Sequence, residues 1–242
     1  MNVHSLKRKA SASAGARRKK PVRADGRGRP VSGDKHRELL DAGLRTFAAR
    51  GYHGTSVPDV AEAGGMAVGT VYRYFANKDA LVNEVYRDAK ERLRRAVFEP
   101  PLPSLDSYDA GAAQTWFMAL WTRLGAFADA EPEAFRFLEM QDHSPYLDAK
   151  SRAVELAILA PLVAAGRQLH TWLGKPVAPI ETLIALLWGS FVGLVKAGRL
   201  GYFKVDDKAF AQAGLACWQM IVPPPSRAAD GTKARARSKG TP

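Results

Sequence analysis

Residues 41–81 read DAGLRTFAARGYHGTSVPDVAEAGGMAVGTVYRYFANKDAL, and the spacings inside this stretch decide the fold. Just upstream and within it, Leu39, Leu40, Gly43, Leu44 and Phe47 recur at the helical period and predict one helix face, ended by Gly51. Ser56, with Asp59 three residues on, marks the start of a short helix from Val57 to about Gly64. Pro58 falls in its first turn, where a missing N–H costs nothing. After the Gly64-Gly65 turn a second short helix runs from Val68 to Tyr74, and Asn77 caps a longer one through Leu81, Val85 and Leu93. Two short helices across a tight turn, braced by a longer helix on either side, are the layout of a helix-turn-helix. Val60, Ala61, Met66, Val71 and Phe75 have the spacing of its small core, which leaves Ala67, Val68, Thr70 and Tyr72 facing outward.

The charge agrees with a nucleic-acid partner. The 242-residue chain carries a formal net charge of +12. Residues 1–33 hold ten Lys/Arg against one acid, and residues 223–242 hold five against one. The body between them is then close to neutral, so the excess sits in two tails. Both tails lack an apolar period and read as disordered in isolation. The N-terminal arm contains Arg27-Gly28-Arg29-Pro30, which resembles the core of an AT-hook. Arg27 and Arg29 are thus candidates for a narrow A·T-rich minor groove; the alternative is a generic phosphate-attracting tail. Cys217 is the lone cysteine, which excludes an intramolecular disulfide and fits a reducing cytoplasm. No apolar run follows the N-terminal basic residues, against a secretory leader. The longest uncharged apolar stretch, Thr182 to Val195, is shorter than the roughly 18 residues of a membrane span and reads as a buried helix.

Phe47, Gly51-Tyr52, Thr55-Ser56-Val57, Val60-Ala61, Gly65, Gly69-Thr70-Val71-Tyr72, Tyr74-Phe75, Lys78 and Leu81 together resemble the N-terminal domain of TetR-type regulators. The resemblance implies a DNA-binding regulator: a homodimer on double-stranded DNA, with a small-molecule effector held in the helices that follow. It implies phosphate contacts from Thr55 or Ser56 at the mouth of the first short helix, from Tyr72 and Tyr74, and from Lys78. Thr70 is placed at a base edge or a phosphate. The alternative for each is an exposed or core-packing side chain. Where such regulators often carry a polar residue followed by a lysine, this chain has Ala67 and Val68. Neither can make a bidentate hydrogen bond to a base, but both can touch a thymine methyl.

Downstream the period stays helical and no strand alternation persists, so the fold class is all-α: a three-helix reading head (34–80) and a larger bundle (81–222), about nine helices in all. Prolines 100, 101 and 103 break the chain. Helices are then expected over Ser107–Asp129, from Pro132, from Asp148 with a kink at Pro161, from Pro179, and from an Asp206 cap. All five tryptophans lie in residues 107–222, which suits either a packed core or an apolar pocket. Trp116, Phe137, Met140 and His143 are the candidate pocket lining, His143 alternatively serving as a cap. Trp188, Phe191, Leu215 and Trp218 on the last two helices are candidates for a four-helix dimer contact or for intrachain core.

An enzyme is disfavoured. The chain has no Gly-rich phosphate loop, no Gly-x-Ser-x-Gly elbow, no His-Glu-x-x-His and no paired-cysteine site, and nothing in it calls for a cofactor or metal. The rival to a ligand-responsive repressor is a DNA-binding protein that senses nothing and acts as an architectural or occlusion factor.

Overall fold

A computed structural model describes residues 32–103, 110–173 and 178–222. Among these residues there are nine helices and no strand: α1 Ser32–Arg50, α2 Val57–Ala63, α3 Val68–Tyr74, α4 Lys78–Phe98, α5 Ala110–Ala130, α6 Pro132–Glu139, α7 Ala149–Leu173, α8 Ile180–Arg199 and α9 Asp207–Ile221. The all-α expectation holds, and the start signals work as read. Ser56 forms a reciprocal capping box with Asp59, Asn77 accepts the Ala80 N–H at 2.8 Å, and Asp206 accepts that of Ala209 at 2.9 Å. Pro161 lies inside α7.

The head is built on α1. Leu39, Leu40, Leu44 and Phe47 are buried against Val60, Val71, Phe75, Leu81 and Val85. Gly43 sits where α1 crosses α4: a Cβ there would come within 2.8 Å of Val85 Cγ2. Gly65 turns the chain between α2 and α3 at φ 62°, a conformation that favours glycine.

One continuous core runs from Leu39 through Phe117, Phe135 and Phe191 to Trp218. The expected boundary near residue 80 falls inside α4, which packs on α1 to one side and on α5 and α7 to the other. Helix α1 also packs on α6. No linker parts head from bundle here; the two share helices.

Candidate nucleic-acid interface and effector cavity

The outward face of α3 carries Val68 (37% exposed), Gly69 and Tyr72 (54% exposed), with Ala67 exposed at its N-cap and Thr70 half-buried. Arg73 is exposed on the same helix and was not singled out from sequence. Its spacing of four from Gly69 is the available signal. Open space above Gly69, with nothing within 4 Å of a built Cβ, lets another surface approach the backbone between Val68 and Arg73. This face can offer a methyl-binding patch, a phenol and a guanidinium side by side. Tyr74 is half-buried, its ring 5.6 Å from that of His36. Lys78 opens α4 with Nζ 4.0 Å above the Tyr52 ring. The Tyr52 hydroxyl donates to Asp79, which pushes its pKa up to about 12.

Of the alternatives Thr55 or Ser56 for a phosphate contact, Thr55 is corrected. Thr55 is 2% exposed and its hydroxyl donates to the Gly51 carbonyl at 2.8 Å, so it closes the α1–α2 turn rather than facing out. Ser56 is exposed, but its hydroxyl donates to Asp59 at 2.6 Å and accepts the Asp59 N–H. Asp59, held below the usual carboxylate range by Ser56 and then Arg50, is an anion at this helix start, where a phosphate would meet like charge. Arg27 and Arg29 lie outside the described residues.

The bundle holds a partly open cavity of about 450 Å³ between α4, α5, α7 and α8, within the roughly 300–1,000 Å³ usual for small-molecule sites. Its wall is mainly Leu93, Val97, Trp116, Leu120, Leu159, Leu162 and Trp188, with Lys90, Glu139 and Glu155 at one polar corner. Trp116 lines it as expected. Phe137, Met140 and His143 do not. Phe137 is fully buried in the core. Met140 is partly buried and packs against that core just past the end of α6. His143 Nε2 lies 2.6 Å from the Phe137 carbonyl, so it carries the proton and donates; Nδ1 then accepts from the Tyr146 hydroxyl at 2.6 Å. Burial holds its pKa below the ordinary histidine value, keeping the ring neutral. It is a tether for the segment after α6. Among the described residues no cluster of three metal-ligating side chains occurs.

That segment also grips the head. Gln141 Nε2 donates to the Phe47 carbonyl at 2.7 Å, at the C-terminal end of α1. Tyr146 stacks on Tyr52 at 4.3 Å, and Asn83 of α4 bonds the Tyr146 carbonyl at 2.8 Å and the Asp148 N–H at 2.9 Å. Cavity wall and reading head are therefore only two residues apart, at Glu139 and Gln141.

The dimer candidates divide. Phe191 and Trp218 are buried within the chain, and Trp188 turns inward to donate its indole N–H to Glu139 at 2.8 Å. Aromatic bulk on these helices serves the core and the cavity. Leu215 alone of the four faces outward, 39% exposed. The outer stripe of α8 is instead Thr182, Leu186, Gly189, Ser190 and Gly193, and that of α9 includes Ala211, Leu215 and Ala216, all exposed. The expectation of a buried α8 is corrected: only 17% of its most apolar window is buried, although it is long and apolar enough by length and composition to cross a membrane.

A helix-turn-helix with an outward α3 is joined through shared helices to a cavity-bearing bundle, the architecture expected of a helical DNA-binding regulator. Residues 39–85 match the family described as bacterial regulatory proteins, tetR family. The chain is 37% identical over 70 residues to the HTH-type transcriptional repressor KstR2 of Rhodococcus jostii, covering 29% of this chain and 34% of that protein. It is 33% identical over 54 residues to the fatty acid metabolism regulator protein of Bacillus subtilis, covering 22% and 28%. These matches span about a third of the relatives' length. Its fold extends further. A TetR family transcription regulator from Marinobacter aquaeolei superposes with a TM-score of 0.67 at 23% identity over 78% of this chain and 96% of the other. FadR from Bacillus subtilis, in complex with stearoyl-CoA, superposes with a TM-score of 0.53 at 15% identity over 78% and 100%. Residues 39–85 are thus similar to the DNA-binding domain of the tetR family, and most of the chain shares the fold of TetR family regulators.

Proposed function

We propose that this protein is a cytoplasmic, dimeric repressor that holds an inverted-repeat operator and releases it when a small apolar or amphipathic molecule fills the bundle cavity. The observation that carries this reading is the short path from Glu139 in the cavity wall to Gln141 on the α1 carbonyls. Helix α4 is the second connection: it starts at the end of the helix-turn-helix and lines the cavity with Lys90, Leu93 and Val97. A ligand that prefers a displaced α4 and α6 changes the separation of the two α3 helices, so that they no longer fit successive major grooves. The stearoyl-CoA in the FadR relative supports a long apolar guest in this fold.

The test is operator binding titrated with candidate molecules, paired with ligand binding measured with and without operator. Linkage requires the same factor in both. Intrinsic fluorescence reports occupancy, because Trp116, Trp121 and Trp188 line the cavity. A cavity ligand that leaves operator affinity unchanged favours the non-sensing reading.

Dimerisation rests on the unpartnered stripes of α8 and α9, which pair with a second copy as a four-helix contact. Replacing Leu186, 50% exposed at the centre of the α8 stripe, by Glu buries an unpaired charge twice about the two-fold axis. The dissociation constant is expected to rise by about 100-fold or more, with the helical content unchanged. Sedimentation of the variant checks it; an unchanged dimer moves the interface elsewhere.

Base reading by Val68 gives a further expectation. Exchanging the facing thymine for uracil removes one methyl and is expected to cost about 0.8 kcal/mol, roughly fourfold in affinity. Competition binding with uracil placed singly through each half-site checks it. If no position responds, α3 reads through Tyr72 and Arg73 alone.

A further inference from the structure

The cavity is apolar except at one corner, where Lys90 of α4, Glu139 of α6 and Glu155 of α7 meet. Glu139 Oε2 accepts the Trp188 indole N–H at 2.8 Å. Its Oε1 is buried and has no hydrogen-bond partner. Lys90 Nζ stands 3.8 Å from that oxygen and bonds instead to Glu155 at 3.1 Å. Glu155 also accepts from the Tyr86 hydroxyl. The remaining ionisable group of the lining, Glu181, is exposed and pairs with Arg167 at 2.8 Å.

The corner therefore holds two carboxyls, Glu139 largely buried and Glu155 half-buried, against one buried ammonium, and it has an acceptor to spare. Burial pushes the Glu139 and Glu155 carboxyls up and pulls the Lys90 ammonium below its usual range. A buried acceptor without a donor is costly, and a guest that brings a donor removes that cost. A guest that brings a third anion adds to the imbalance instead.

We propose that the effector is a lipophilic amine: an apolar body lies between α5, α7 and α8, and its ammonium donates to Glu139 Oε1. This rests on the effector reading above and adds the chemical class. An alcohol shares the donor but not the charge, so it binds more weakly; a carboxylate of equal length is disfavoured. Glu139 is a recognition residue here, and Trp188 is its positioning partner, fixing the carboxylate by holding the other oxygen.

The experiment uses the full chain and three probes of equal chain length, decylamine, decanol and decanoate, each below its aggregation limit. Binding is read by tryptophan fluorescence and calorimetry. Decylamine is expected to bind at least tenfold tighter than decanol, with decanoate weakest. In Glu139→Gln the amide oxygen can still accept from Trp188 while the NH₂ faces the cavity, so the corner changes from acceptor to donor. Decylamine is expected to lose at least tenfold, and decanoate to gain. Decanoate binding tightest to the unmodified protein, no saturable binding by any probe, or a folded Glu139→Gln that keeps full amine affinity would each overturn the assignment. The ranking on the unmodified protein decides even where the variant does not fold. Operator binding in the same titrations separates the two readings. Glu139-dependent amine binding without operator release sustains the ligand class and sinks the release reading. Operator release by decanoate and not decylamine does the reverse.

Discussion

Deletion of residues 1–30 is expected to lower operator affinity at physiological salt by about 100-fold or more and to flatten its salt dependence. The deleted segment carries ten Lys/Arg, whereas the chain between the two tails is close to neutral. Each phosphate neutralised contributes about −0.9 to the slope of log K against log salt, so deleting an arm with half of its ten cations on phosphates makes the slope shallower by about 4.5. Within the head the electrostatics leave the arm this role. Asp59 sits at the start of α2, Arg50 is paired with Asp59, and Arg37 is paired with Asp88 at 2.5 Å. Electrophoretic or fluorescence binding from low to high salt, on full-length and truncated protein, checks the expectation. Replacing Arg27 and Arg29 by Ala in the full chain tests the minor-groove component separately, through the preference for A·T-rich flanks. A truncation that leaves the slope unchanged means that the arm does not touch DNA.

Phe47→Ala is expected to destabilise the protein by about 3–5 kcal/mol and to abolish specific DNA binding. Phe47 is fully buried, and its ring lies 6.2 Å from that of Phe137, so it fills the space between α1 and α6. Its carbonyl accepts the Gln141 amide. A cavity at this point loosens both the base on which α2 and α3 rest and the link from the bundle. Urea unfolding followed by circular dichroism gives the stability. Operator binding at a temperature where the variant is still folded gives the functional loss. A folded variant with full operator affinity would show that the head keeps its geometry without this contact.

Local signals were legible because local physics produces them. Ser56, Asn77 and Asp206 cap helices through bonds to N–H groups three residues away, so sequence distance and spatial distance coincide. The apolar period of α1 and the alternation of core and outward residues in α3 are set by helical geometry alone. The same reasoning misplaced Thr55, because the carbonyl it bonds belongs to a turn whose path the neighbouring residues do not dictate. It passed over Arg73, because outward direction on a seven-residue helix depends on which side the core lies.

The bundle was legible as helices and not as a site. Phe137, Met140 and Trp116 are alike as apolar residues on helices or at their ends; which of them faces the cavity depends on the crossings of α4, α5, α7 and α8. His143 and Trp188 looked available until their partners, a carbonyl six residues back and a carboxylate forty-nine residues away, were in place. By itself the sequence determined the helices of the described residues, the helix-turn-helix and the basic charge of the arm, since capping, period and charge are properties of residues near one another in the chain. Only the tertiary structure decided the cavity, its polar corner with a spare acceptor, and the outer stripes of α8 and α9. These depend on which helix faces meet, and packing settles that among groups far apart in sequence.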